Sequence, residues 1–73
     1  MVEKAEKYLI EGGLSEVRVR CQGSTARIEI PQEELKDFFY KYNFSEIVQY
    51  FSNLGFNCTS LDLEGLISGK LNR

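Results

Sequence analysis

Val17-Arg18-Val19-Arg20-Cys21-Gln22-Gly23-Ser24-Thr25-Ala26-Arg27-Ile28-Glu29-Ile30 decides the fold of this 73-residue chain. Apolar and polar residues alternate with a period of two on either side of Gln22-Gly23-Ser24, the pattern of a β-hairpin that turns one face to a core. Pairing Cys21 with Ala26 sets the remaining register, with Val19 opposite Ile28 and Val17 opposite Ile30. One face is then wholly apolar. The other carries Arg20 opposite Arg27 and Arg18 opposite Glu29, three guanidiniums around one carboxylate. Like charges directly across a ladder are unfavourable unless a carboxylate or an outside anion lies between them.

Two readings of that polar face stand side by side. In one it is a solvated sheet surface, with an Arg18–Glu29 pair worth a few tenths of a kcal/mol. In the other it is an anion site, because planar guanidiniums grip phosphate or sulfate in a bidentate way that lysine does not reproduce. The residues of such a site are Arg18, Arg20, Arg27 and Glu29, with phosphate or sulfate as the bound anion.

Upstream, Ala5, Tyr8 and Leu9 recur at helical spacing over residues 3–11, and Gly12-Gly13 ends the run. Downstream, Pro31 stops the second strand and opens a helix whose first turn holds Gln32, Glu33 and Glu34. Leu35, Phe38, Phe39 and Tyr42 give that helix an apolar stripe. Asn43 or Ser45 caps a further helical stretch through Ile47, Tyr50, Phe51 and Leu54, which Gly55 closes; two helices or one kinked helix fit. Phe56 to Leu63 alternates again and reads as a third strand, with Cys58, Ser60 and Asp62 on one face. The expected fold is therefore α+β: a small three-stranded sheet with helices packed on one face, in the order α-β-β-α-α-β. The alternation does not decide which hairpin strand the third one joins. If it lies beside the hairpin, Asp62 and Glu64 join Glu29 near the arginines, as carboxylates suited to a hard cation or to holding the arginines in place. They lack the dense spacing of a ligand loop, and no metal is assigned.

Composition bounds the rest. Seventy-three residues allow one domain, with about 60% of the chain's surface removed from water on folding. That length holds no nucleotide-binding domain beside a substrate domain. Nine Lys and Arg against eleven Asp and Glu give a net charge of -2, and there is no His. Global attraction to nucleic acid and histidine-based acid–base or metal chemistry are excluded, and no aromatic pair on the polar sheet face offers a stacking platform for RNA. Cys21 and Cys58 fall in strands without a zinc or redox spacing and read as buried or half-buried thiols. The amino terminus has no apolar signal region and no apolar run is long enough to span a bilayer, so a cytoplasmic chain without a membrane partner is expected. No P-loop, dinucleotide fingerprint, HExxH or EF-hand motif occurs.

Two stretches together resemble a known family. Arg18-Val19-Arg20, then Gly23, then Ala26-Arg27-Ile28-Glu29-Ile30-Pro31 resembles a hairpin near the carboxyl end of LarE-type ATP-dependent sacrificial sulfur transferases, of the PP-loop pyrophosphatase superfamily. Leu54-Gly55-Phe56 and Leu61-Asp62-Leu63-Glu64-Gly65, continuing through Ser68-Gly69 toward Asn72, resembles that family's terminal strand and tail. The resemblance implies a carboxyl-terminal domain of such an enzyme, whose amino-terminal PP-loop domain adenylylates a pyridinium mononucleotide before a cysteine donates sulfur, in nickel-pincer cofactor synthesis. It implies phosphate or sulfate binding by Arg18 and Arg20, a supporting role for Glu29, and a PP-loop domain as partner; separately, an exposed edge of the three-stranded sheet and the aromatic helices would support association with further copies of the chain. The sequence departs from the family pattern at Cys21-Gln22, where a His pair is usual, at Leu66-Ile67 in place of Tyr-Arg, and at Lys70-Leu71 in place of Ser-Met. No SGGxDS-type ATP loop and no donor-cysteine segment is present, so the chain is expected to be inactive alone, without a cofactor of its own. A small structural or self-associating domain is the alternative.

Overall fold

The hairpin forms in the register that the alternation requires. In the structure, a computed structural model that describes residues 1–67, Arg18–Gln22 (β1) pairs antiparallel with Thr25–Glu29 (β2), placing Cys21 opposite Ala26, Val19 opposite Ile28, Arg20 opposite Arg27 and Arg18 opposite Glu29. The ladder includes Gln22 and Thr25, so Gly23-Ser24 alone makes the turn. Val17 and Ile30 lie just outside it.

The remaining elements are α1 at Val2–Glu11, a 3-10 turn at Gln32–Glu34, α2 at Leu35–Lys41, α3 at Phe44–Leu54 and β3 at Cys58–Leu61. The fold is α+β, in the order α-β-β-α-α-β. Strand β3 joins β2 in parallel, which makes β2 central and leaves β1 and β3 as edges. Parallel neighbours need a crossover, and α2 with α3 supplies it.

The helices cover one face of the sheet, α1 packing over β1 and α3 over β3. Ala5 and Leu9 of α1, Ile47 and Phe51 of α3, and Phe38 of α2 meet Val19, Ala26, Ile28 and Ile30 in one buried cluster. The i,i+4 spacing of Ala5 with Leu9 and of Ile47 with Phe51 puts each pair on one helical face. Burial of each large apolar side chain there contributes about 1.5–3 kcal/mol.

Of the two cap candidates, Asn43 starts α3: its Oδ1 accepts the Glu46 N–H at 3.2 Å. Gly55 closes the helix with φ +113°, a conformation that costs a residue with a Cβ. The next N–H, of Phe56, returns to the Phe51 carbonyl at 3.1 Å, and the two rings sit 5.8 Å apart. Phe56 therefore belongs to the helix cap rather than to β3. At the other end, Asp62 Oδ1 accepts the Glu64 N–H at 2.9 Å, which turns the chain. These two caps shorten the alternating run Phe56–Leu63 to the four residues of β3.

The expectation of buried or half-buried cysteines is overturned, for both thiols are exposed. Alternation identifies the side of a sheet but not what covers it. Cys21 lies on the helix side next to the hairpin tip, and Cys58 is the first residue of β3, so each sits at the end of an edge strand.

Candidate functional site

The face of the sheet away from the helices collects the charged residues. Strand β2 contributes Arg27 and Glu29, β1 contributes Arg18 and Arg20, and Asp62 follows β3 directly. Glu29 is at the centre and is fully buried, at 0% exposure. Its Oε1 accepts a hydrogen bond from Arg20 Nε at 3.3 Å. Its Oε2 lies 3.2 Å from Arg27 Nη2, without the alignment of a hydrogen bond, so charge rather than geometry holds that oxygen. Arg27 Nε in turn lies 3.9 Å from Asp62 Oδ2. A chain of ion pairs thus crosses all three strands, from Arg20 through Glu29 and Arg27 to Asp62.

Removing a carboxylate from water costs several kcal/mol unless charges and hydrogen bonds compensate it. Two guanidiniums do so here. They also resolve the unfavourable Arg20–Arg27 pairing that the register imposes, because Glu29 lies between the two. The surface pair expected between Arg18 and Glu29 does not form: the carboxylate turns toward Arg20 and Arg27, and Arg18 is exposed with no ion pair among the described residues.

Three guanidiniums and two carboxylates leave this face with one positive charge in excess. Arg27 lies deeper, its side chain 15% exposed, whereas that of Arg20 is 36% exposed and uses only its Nε on Glu29. Among the described residues the Nη donors of Arg20 and the guanidinium of Arg18 make no ion pair. They lie on one side of adjacent alternating positions of β1, a spacing of about 6–7 Å along a strand, which a single tetrahedral oxyanion bridges through long side chains. Of the residues named for an anion, the structure brings together Arg20, Arg27 and Glu29 and leaves Arg18 beside them. Glu64 is exposed and binds Asp62 through its backbone. Among the described residues no group of three or more His, Cys, Asp or Glu stands ready for a metal ion.

The seat of the turn that follows β3 was not visible in the sequence. After Asp62 the chain turns, the Gly65 N–H bonding the Asp62 carbonyl at 3.1 Å and the Leu66 N–H bonding the Ile30 carbonyl at 2.7 Å. Gly65 has φ +85°, and a Cβ on it would stand 2.8 Å from the Ile30 carbonyl oxygen and 3.0 Å from the Gln32 nitrogen. The glycine that ends Leu61-Asp62-Leu63-Glu64-Gly65 is thus required twice, for its dihedral and for its contact. The tail beyond residue 67, including Gly69, lies outside the described residues. A second feature carried no local signal: Glu6 of α1 accepts the Val19 N–H at 2.9 Å and so occupies a donor of the β1 edge.

Two concavities lie elsewhere. A cleft of about 420 Å³ between the end of α1 and the α2–α3 joint is lined by Tyr8, Glu11, Tyr42 and Glu46, among others. Burial, with the nearby Glu34 carboxylate adding to it, raises the Tyr42 hydroxyl above the ordinary tyrosine value of 10.0. An apolar groove of about 130 Å³ runs beside β3, between Phe38, Phe44 and Val48 on one side and Thr59 and Leu61 on the other. Among the described residues no helix is long and apolar enough to cross a membrane.

No protein-family model matches the chain. It is 49% identical over 72 residues, 99% of its length, to an uncharacterized protein of Synechocystis sp., of which it covers 27%. It is also 41% identical over 71 residues, 97% of its length, to the pyridinium-3,5-bisthiocarboxylic acid mononucleotide synthase of Lactiplantibacillus plantarum, of which it covers 25%. The chain spans about a quarter of the length of these curated relatives. A match of this extent fits a portion of the LarE-type family.

Proposed function

We propose that this chain is a non-catalytic, phosphate-binding part of a LarE-type sulfur-transferase system, acting in nickel-pincer cofactor synthesis. Arg18 and Arg20 hold the phosphate of a phosphorylated small molecule, of the pyridinium mononucleotide class that the Lactiplantibacillus relative is named for. Glu29, supported by Arg27, fixes Arg20 in place. The adenylylating chemistry belongs to a PP-loop domain that this chain serves, because its own residues contain no nucleotide loop and no donor-cysteine motif. The observation that carries the reading is the charge arrangement on the sheet: a buried carboxylate orients Arg20, whose Nη donors and the adjacent Arg18 remain unused by ion pairs among the described residues.

The chemistry asked of these residues is modest. Guanidinium–phosphate contacts are short, charge-assisted and often bidentate. Two arginines on one strand bind an anion while leaving its organic part free to reach another domain. The test compares a pyridine mononucleotide with the corresponding nucleoside in calorimetric titrations of the chain. The mononucleotide is expected to bind at millimolar or tighter affinity and the nucleoside not to bind, with binding lost in Arg18→Ala/Arg20→Ala. Equal behaviour of the two ligands overturns the phosphate reading. Reconstitution with a separately supplied PP-loop domain tests the assignment to that system: unchanged turnover on adding the chain counts against it.

The second reading, a self-associating domain, draws on one feature. Phe44 and Val48 at the groove beside β3, with Phe39 packed edge to face on Phe44, are each 43–51% exposed. β3 is also an edge strand of the sheet. A strictly monomeric mass at high concentration excludes self-association.

A further inference from the structure

The anion-binding reading leaves unexplained why the chain turns back against the end of β2 after β3. Main-chain bonds seat that return over the end of β2, with Leu66 N–H on the Ile30 carbonyl and Gly65 against the Ile30–Gln32 backbone. Asp62, the first residue of the return, has its two oxygens committed in different directions. Oδ1 accepts the Glu64 N–H, which sets the turn, and Oδ2 faces Arg27 Nε at 3.9 Å. Arg27 is thereby placed between two carboxylates, Asp62 on one side and Glu29 on the other. Glu29, held from that side, offers its Oε1 to Arg20.

We infer that the Asp62–Gly65 turn is a clasp for the arginine face: Asp62 and Glu29 are positioning residues that hold Arg27 and Arg20, and neither is a ligand of the anion. The inference rests on the phosphate reading of Arg18 and Arg20 and assigns a role to the Leu61-Asp62-Leu63-Glu64-Gly65 segment. Its physical content is a sign. A carboxylate that is simply near an anion site repels the anion, so neutralising it tightens binding. A carboxylate that fixes the binding guanidinium does the opposite, because a loosened arginine must be ordered again when the anion arrives.

The test titrates the whole 73-residue chain with inorganic phosphate at fixed ionic strength, following backbone amides and the arginine Nε–Hε signals by NMR. In the wild type the Arg20 Nε–Hε proton is expected to exchange slowly with water, because Glu29 accepts it in a partly buried site. Glu29→Gln is expected to weaken phosphate binding about five- to tenfold and to speed that exchange, and Asp62→Asn to weaken binding about two- to threefold. Glu33→Gln, which removes an equal charge from an exposed position on the 3-10 turn, leaves binding unchanged or slightly tighter. If Glu29→Gln does not fold, Asp62→Asn decides by the same two readouts. Folded Glu29→Gln and Asp62→Asn chains that bind phosphate as tightly as the wild type, or more tightly, overturn the clasp while leaving the phosphate reading intact. No response of the wild type to phosphate overturns the phosphate reading, and the positioning role falls with it.

Discussion

Ile28 and Glu29 are consecutive residues of β2, and both are buried, at 2% and 0% exposure. They are buried by different means. Ile28 points to the helix side, where Leu9, Phe38, Ile47 and Phe51 contribute to one apolar cluster with it. Glu29 points the other way, where the Arg20 and Arg27 guanidiniums lie against its carboxylate. On the first face water is excluded by non-directional packing, which tolerates exchange of one apolar residue for another of similar volume. On the second the same degree of burial depends on charge compensation, and loss of a single partner leaves an ion without its counterpart. Among the described residues, the second face leaves the Arg18 guanidinium and the Nη donors of Arg20 without an ion pair.

Substitutions separate the two mechanisms. The largest effect is expected from Phe51→Ala, which empties a fully buried ring position and costs about 3–5 kcal/mol. A domain this small has a total stability of about 4–11 kcal/mol, so the urea midpoint should fall by at least about a quarter of the wild-type value. Glu29→Ala should follow at about 2–3 kcal/mol, toward the low end for a buried pair because Arg20 is partly exposed. Salt sharpens the contrast: in 1 M NaCl the cost of Glu29→Ala should shrink, while that of Ile28→Ala stays as it was. Equal salt dependence of the two would break the distinction between the faces.

Gly65→Ala tests the turn after β3 alone. Its Cβ would meet the Ile30 carbonyl from a positive-φ position, and a loss of about 1–3 kcal/mol in thermal unfolding is expected. A stability equal to wild type would show that the turn can shift without consequence. The smallest effect concerns Tyr42, on the helix side. Its folded pKa is raised, through burial first and Glu34 second. The stability tied to its neutral hydroxyl is therefore fully present below the unfolded value of 10.0 and is lost as pH rises through the folded value. Tyr42→Phe removes that component, so the alkaline fall in stability should be shallower in the variant; an identical fall would place the cause elsewhere.

Much of this was legible in the sequence, for identifiable reasons. Period-two alternation on both sides of a short glycine turn fixes a hairpin register without ambiguity, and all four pairs from Cys21–Ala26 to Arg18–Glu29 follow from it. The caps at Asn43 and Gly55 are local chemistry and could be read locally. The neighbour of β3 could not, because a parallel pairing across two helices leaves no mark in either strand. Burial of Glu29 and exposure of Cys21 and Cys58 were hidden for a related reason. Alternation put Glu29 on the polar face and the cysteines in strands, but it carries no information on which side chains fold over a face and which strand ends are left bare. That Glu29 and Asp62 could hold the arginines followed from the alternation on the condition that the third strand lies beside the hairpin; the order of pairing Arg20, Glu29, Arg27, Asp62 needed the fold.

The most direct measurement of the central claim is a backbone chemical-shift map of the chain during a phosphate titration. The account predicts saturable shifts confined to the polar face, at Arg18–Arg20 and Arg27–Glu29, with the helices unchanged, and their disappearance in Arg20→Ala. No shifts at that face, or shifts that persist undiminished in Arg20→Ala, would contradict it.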